Sequence, residues 1–308
     1  MKYVVMGVGG VGGYFGARLA AHGNEVAFIA RGRHAEALRR HGLSVTSPLG
    51  DVHIEHPDVP GDMAHIGFAD IILFCVKLWD VEAAAEQLKP LLASDTAVIP
   101  FQNGVSVTER LEKILGRKHV MGGVAKISAT LERPGHIRHV GTLAALIFGE
   151  LDGHRSWRAE CMDAACQGAG IEARLSENIA LDLWEKFVFL APMAAAACLE
   201  RAPIGTVLGE RGARARLVAM IEEAVAVGRA KGIALPPDAA ERALAGARLL
   251  PDKAKPSMLV DLEHGRQLEL DWLTGEVARL GRDFGVATPI SSAAYEDLKP
   301  FAMGSRSA

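Results

Sequence analysis

At ~150 residues per domain, 308 residues leave room for about two domains and a substantial buried core. Hydrophobic residues at 49% and charged residues at 23% exclude disordered, collagen-like and supercharged chains. With 34 Lys and Arg against 37 Asp and Glu the net charge is -3, and no long basic run marks a nucleic-acid partner, so a small molecule is the expected one.

Up to about residue 176, short apolar runs alternate with helix-length segments. Residues 3–6, 26–30, 71–76 and 97–101 read as buried strands, and the alternation predicts a parallel sheet with crossover helices. Residues 42–46 and 51–55 read as shorter edge strands about a turn at Pro48-Leu49-Gly50. The glycines of residues 120–149 predict a hairpin-like extension followed by a strand at 144–148; a helix at 157–167 and a strand at 171–174 close this part. Beyond Ser176 the strand signal ends. Residues 179–199, 214–231, 239–249 and 269–284 carry helical spacing, interrupted by Gly232, Pro236-Pro237 and Pro251. The expected fold is α/β: a Rossmann-type doubly wound domain over 1–176 and an all-helical domain over 177–308, with a frayed tail at 303–308.

Cys75, Cys161, Cys166 and Cys198 show neither metal-ligand nor disulfide spacing, so no metal is expected. The sequence opens directly on Lys2-Tyr3-Val4-Val5-Met6, without the features of a signal peptide. The apolar stretch 187–199 contains Pro192, is too short for a membrane span and reads as a buried helix. A cytoplasmic protein with no membrane partner is expected.

Gly7-Val8-Gly9-Gly10-Val11-Gly12 follows the first strand and opens a helix. This G-x-G-x-x-G context lets the backbone approach a pyrophosphate seated on the positive end of the helix dipole, so Gly7, Gly9, Gly10, Val11 and Gly12 are candidate cofactor contacts rather than an ordinary Gly-rich turn. An acid at the end of the second strand would bind the ribose 2′-hydroxyl of NAD; Ala30-Arg31-Gly32-Arg33 stands there instead. Guanidinium groups suit a 2′-phosphate, which points to NADP, with solvated loop charges as the alternative.

Polar residues just past apolar strands lie where doubly wound sheets bind ligands. Lys77 follows 71–76 and Asn103 follows 97–101; the bland readings are a solvated lysine and a turn or cap residue. Lys186, in a helix apolar on most sides, has Leu183, Phe189 and Leu190 three and four positions away, so its ammonium is expected at a crevice; a surface pair with Asp182 is the alternative. Helical spacing puts Glu269 on a stripe with Trp272, Leu273 and Leu280, as a helix cap or a ligand contact. Ser257 reads most simply as an N-cap.

Gly7-x-Gly9-x-x-Gly12, Arg31, Val76-Lys77, Gln102-Asn103-Gly104, Leu183-Trp184-Glu185-Lys186, Ser257-Met258-x-x-Asp261 and Glu269-x-Asp271 together resemble the ketopantoate reductase family, in order along nearly the whole chain. The resemblance implies a Rossmann domain, a helical domain like that of 6-phosphogluconate dehydrogenase, NADPH, and reduction of 2-dehydropantoate to pantoate in pantothenate biosynthesis. By it, Lys186 is the general acid, Ser257 and Glu269 hold the substrate, and Lys77 and Asn103 position nicotinamide and substrate. Where the family carries asparagines four and eight residues after the lysine, this chain has Leu190 and Ala194, which line the substrate side in that reading. The expected activity is NADPH-dependent reduction of a 2-oxo acid by a monomer or homodimer. A reductase of a more apolar carbonyl compound and a non-catalytic NADP-binding regulator are the alternatives.

Overall fold

A computed structural model describes residues 1–304; residues 305–308 of the expected frayed tail lie outside the described residues. The chain divides into two compact units, Met1–Gln102 with Ser106–Ile179, and Asn103–Val105 with everything from Ala180 on.

In the first unit the strands are β1 (Lys2–Met6), β2 (Glu25–Ile29), β3 (Leu43–Thr46), β4 (Val52–Ile54), β5 (Ala69–Phe74), β6 (Leu92–Pro100), β7 (Met121–Arg133), β8 (His136–Glu150) and β9 (Glu172–Leu175). The helices are α1 (Gly10–Ala21), α2 (Gly32–His41), α3 (Val81–Leu88), α4 (Val107–Leu115) and α5 (Trp157–Gly168). The strands do not form one sheet. β2-β1-β5-β6 is the expected parallel sheet, with Tyr3 opposite Val26 and Ile71. Its central strands are buried on both faces, which is why they read as continuous apolar runs. β4-β3-β8-β7 is a second sheet, with β9 alongside β8. Residues 144–148, expected as a separate strand after a hairpin, are the end of β8, whose 15 residues run on from the turn at Gly135.

Helix α1 packs against both sheets through missing side chains. A Cβ at Gly13 would lie 2.7 Å from Ile137 of β8, and one at Gly16 would lie 2.7 Å from Phe28 of β2 and Val5 of β1. At the end of β8, Glu150 accepts two 2.7 Å bonds from Arg158 of α5 and one from Ser156. Burial disfavours the Glu150 carboxylate, yet these bonds outweigh it and hold its pKa below the usual carboxylate range.

The second unit is helical: α6 (Ile179–Glu200), α7 (Ile204–Gly209), α8 (Arg211–Ala230), α9 (Ala239–Arg248), α10 (Ser257–Glu263), α11 (Thr274–Asp283) and α12 (Pro289–Leu298). The apolar stretch at 187–199 lies inside α6, and no described helix is long and apolar enough to cross a membrane. Three short helices escaped the periodicity because proline opens them. Pro203 and Pro256 are N-caps of α7 and α10, and Pro289 begins α12. A proline at a helix start sacrifices only an N–H that has no intrahelical partner. The helix expected over 269–284 is shorter as well: 270–272 form a 3-10 turn, Leu273 at φ -109°, ψ -89° breaks the spiral, and α11 starts at Thr274.

Candidate functional site

The glycines after β1 differ in what fixes them. Gly7 turns the chain at φ +97°, and a Cβ there would lie 2.8 Å from the backbone of Cys75 and Val76 beyond β5. A Cβ at Gly10 would meet the Ala129 carbonyl of β7 at 2.0 Å, and one at Gly12 the Gly7 carbonyl at 2.2 Å. Gly9 is unlike them. It is the N-cap of α1 at φ -83°, a conformation open to any residue, and its Cβ would meet nothing within 4 Å. No side chain caps α1 and no acid lies in its first turn, so the amides at its start are available to an anion. Val11, in that turn, is partly exposed. The loop therefore fits a pyrophosphate, with Gly9 leaving space the fold itself does not use. Cys75 contributes packing: burial pushes its thiol far up, so it stays protonated.

Past β2, Arg31 is exposed, caps α2 with its backbone and lies 4.0 Å from Asp80. No acid stands at the strand end itself; Asp80 beside the guanidinium is an exposed partner, which the sequence spacing did not indicate. Lys77, exposed past β5, sits over the Trp79 ring at 5.5 Å.

In the helical unit, three consecutive residues anchor the segment after β6. Val105 is buried in the helical core, Gly104 at φ +98° lies against the Trp272 carbonyl, and Asn103 Oδ1 accepts a 2.9 Å hydrogen bond from Lys186 Nζ. Asn103 is thus not a helix cap, since Ser106 takes that place for α4. Lys186 is partly buried on α6, where its neighbours Trp184, Phe187 and Val188 form the core.

Glu269 is 8% exposed but does not share a helical face with Leu280; it precedes the 3-10 turn, and its side chain makes no cap bond to that turn. The same turn carries Trp272, which touches Gly104, and Asp271, whose carboxylate accepts a 2.8 Å bond from Tyr295. That bond, with burial, pushes the phenol up to about 12. Ser257 is exposed as the first residue of α10; Pro256, not Ser257, is its N-cap. One and two turns beyond Lys186, Leu190 is partly exposed while Ala194 is 1% exposed in the helical core, so of these two Leu190 offers the accessible surface.

His34 is the residue that sequence reasoning missed. From α2 it bonds the Val8 carbonyl inside the phosphate loop at 2.7 Å, a contact whose partners lie 26 positions apart with no shared periodicity.

Known proteins share this architecture. The family described as Ketopantoate reductase PanE/ApbA matches residues 3–153, and its C-terminal counterpart matches 178–302. An uncharacterized oxidoreductase, YkpB of Bacillus subtilis, is 30% identical over 98% of this chain and 99% of its own. A 2-dehydropantoate 2-reductase of Mesorhizobium japonicum is 30% identical over 94% of each chain. Among solved structures, a PanE/ApbA family ketopantoate reductase from Ralstonia eutropha superposes with a TM-score of 0.90 at 30% identity over 98% of both chains. A D-mandelate dehydrogenase with NADH and anilino(oxo)acetate shares the fold at a TM-score of 0.90 and 22% identity, over 98% of both chains.

The different surroundings of the glycines give a direct test. Gly9→Ala keeps its thermal midpoint but weakens dinucleotide binding by about tenfold or more, because the methyl enters only the ligand's space. Gly12→Ala lowers the midpoint itself, since its methyl meets backbone. Scanning fluorimetry and a fluorescence titration read the two effects separately.

Proposed function

The chain belongs to the ketopantoate reductase family, and from that premise we propose that it reduces a 2-oxo acid to the 2-hydroxy acid with NADPH, 2-dehydropantoate being the first candidate. Family membership makes it an oxidoreductase acting on a CH–OH/C=O pair. The observation that carries the finer reading is the Lys186–Asn103 hydrogen bond.

Bound NADPH supplies the hydride. When a carbonyl carbon accepts it, the oxygen gains charge and needs a proton. Lys186 Nζ supplies that proton as general acid, and its positive charge stabilises the oxygen beforehand. Asn103 holds the amine from one side, which limits the positions its flexible stem can take. Glu269 and Ser257 hold the substrate in this reading, and Lys77 and Asn103 position substrate and nicotinamide. Gly7, Gly9, Gly10, Val11 and Gly12 receive the pyrophosphate, and Arg31 the 2′-phosphate. Four free cysteines suit a reducing, cytoplasmic setting, and the working state is a monomer or homodimer.

Leu190 favours a second reading. Where the family has an amide, leucine offers only apolar contact, so a substrate hydroxyl buried there without another partner costs about 1–3 kcal/mol. The substrate is then a 2-oxo acid or ketone more apolar than 2-dehydropantoate.

Three outcomes test these assignments. NADPH binds at least about tenfold more tightly than NADH, and Arg31→Ala removes the difference; equal affinities in the wild type would refute the 2′-phosphate contact. Lys186→Ala lowers turnover by roughly 10² to 10⁴ with cofactor affinity little changed, and wild-type turnover in that variant would make the lysine structural. NADPH oxidation against a panel of 2-oxo acids finds 2-oxo-3,3-dimethylbutanoate handled comparably to 2-dehydropantoate. A preference for 2-dehydropantoate of about a hundredfold, or about 2.7 kcal/mol, means instead that other side chains read the hydroxyl.

A further inference from the structure

Between Gly7 and Gly10 only Val8 carries a side chain, which is buried in the core; the loop's main chain past it needs a polar partner as well. His34, in the first turn of α2, supplies an anchor to the main chain. Its Nε2 lies 2.7 Å from the Val8 carbonyl oxygen, and the Gly135 N–H donates to its Nδ1 at 3.0 Å. Because Nδ1 accepts, Nε2 must carry the proton: the neutral Nε2–H tautomer alone makes both bonds. Gly135 is fixed in turn, since its carbonyl accepts a 2.9 Å bond from Ser44 of β3. The imidazole thereby ties the loop to the β7–β8 turn.

This bond reaches the ligand-facing amides through peptide geometry. The peptide bonds are trans among the described residues, so turning the Val8 carbonyl toward His34 turns the Gly9 N–H the opposite way. Gly9 has no side chain to restrain that plane, and a Cβ there would touch nothing. We propose that His34 is a positioning residue for the dinucleotide, holding the Val8–Gly9 peptide in its binding orientation while neutral and, when protonated, losing the Gly135 bond that fixes the ring, so that the peptide is no longer tied to the hairpin. The inference rests on the cofactor reading above.

Protonation would place an N–H at Nδ1 facing the Gly135 N–H, so the Gly135 bond is lost; Nε2–H still donates to the Val8 carbonyl, but the ring that carries it is no longer held by the hairpin. Burial lowers the imidazole pKa below its ordinary value, against the opposing pull of the Val8 carbonyl, and so keeps the bridging form populated at neutral pH. The phosphate loop and β3 bring no charged group to it. On α2 the nearest in sequence are Arg31, Arg33 and Glu36, and on the hairpin Arg133 and His136, the last engaged with Thr46 and Glu132. Among the described residues none of these forms an ion pair with His34.

The test is calorimetric titration of NADP⁺ into wild type, His34→Gln and His34→Leu from about pH 8.5 to about pH 4.5, a range that reaches well below the ordinary histidine value because burial lowers this one. Gln keeps a donor and an acceptor but does not titrate. The wild-type dissociation constant rises relative to that of His34→Gln as pH falls below the imidazole pKa, by up to about tenfold per pH unit for one linked proton. At the alkaline end His34→Leu binds about tenfold more weakly, and Gln restores most of that loss. The cofactor's own 2′-phosphate titrates near pH ~6 but does so against both proteins, so the ratio isolates the imidazole. In the free protein, ¹⁵N imidazole shifts show the Nε2–H tautomer. Parallel profiles for wild type and Gln, or an Nδ1–H tautomer, overturn the role of His34 alone, and this comparison stands even if the Leu variant does not fold. A wild type that binds neither NADP⁺ nor NAD⁺ overturns the cofactor reading and this inference with it.

Discussion

The dinucleotide half of the molecule depends on how closely the chain after β1 can approach the chain after β5. At Gly7 the space for a Cβ is 2.8 Å from the Cys75–Val76 peptide, and the backbone stands at φ +97°. Any other residue would pay for both the clash and the left-handed conformation. With glycine there, the Cys75 amide bonds to the Met6 carbonyl at 2.8 Å and the Gly7 amide to the Ile29 carbonyl at 3.1 Å. The ends of β2, β1 and β5 are thereby knit together where their parallel register stops. Helix α1 departs from that point with free amides, and Arg31 and Lys77 follow the strands that flank it.

The helical unit solves a different problem, which is how to keep a lysine precise on an apolar helix. A long, flexible stem loses about 2 kcal/mol of rotamer entropy when fixed. Here the partner is itself fixed by its neighbours: Val105 is locked into the core, Gly104 presses on the Trp272 carbonyl, and Asn103 meets the amine. The turn holding Trp272 is braced through Asp271 to Tyr295 of α12, and α12 is capped by Glu223 of α8, whose carboxylate accepts the Ile290 and Ser291 amides at 2.8 and 2.7 Å. The lysine's geometry is thus supported through several helices.

Much of this was legible in the sequence because it rests on local rules. Strand, glycine motif and helix are adjacent in the chain, so the parallel sheet and its phosphate loop announce themselves over residues 2–21. Lys77 and Asn103 stood out by following apolar runs. The helical spacing of Glu269 to Leu280 in sequence does not put them on one face, because Leu273 interrupts the helix between them. The second sheet stayed hidden because β3 pairs with β8, Ser44 with His136, a register no pattern in either segment encodes. His34 stayed hidden on the same grounds, as both of its bonds go to main-chain atoms whose partners have no sequence signature.

The glycine motif shows how structure separates two meanings that sequence merges. Four glycines in six positions look equivalent as letters, yet a side chain at Gly7, Gly10 or Gly12 would collide with this chain's own backbone, at 2.8, 2.0 and 2.2 Å. At those three positions the fold itself leaves no room for a side chain. At Gly9 neither space nor backbone conformation demands glycine, and folding alone gives no reason to omit a side chain that would cap α1. An uncapped helix start ordinarily forgoes about 1 kcal/mol that Ser, Thr, Asn or Asp would contribute. The omission makes physical sense if another molecule takes the place of the missing cap, and an anion lying against those amides is the group that does so. What the fold leaves unexplained at this one residue is therefore its most direct statement about a ligand.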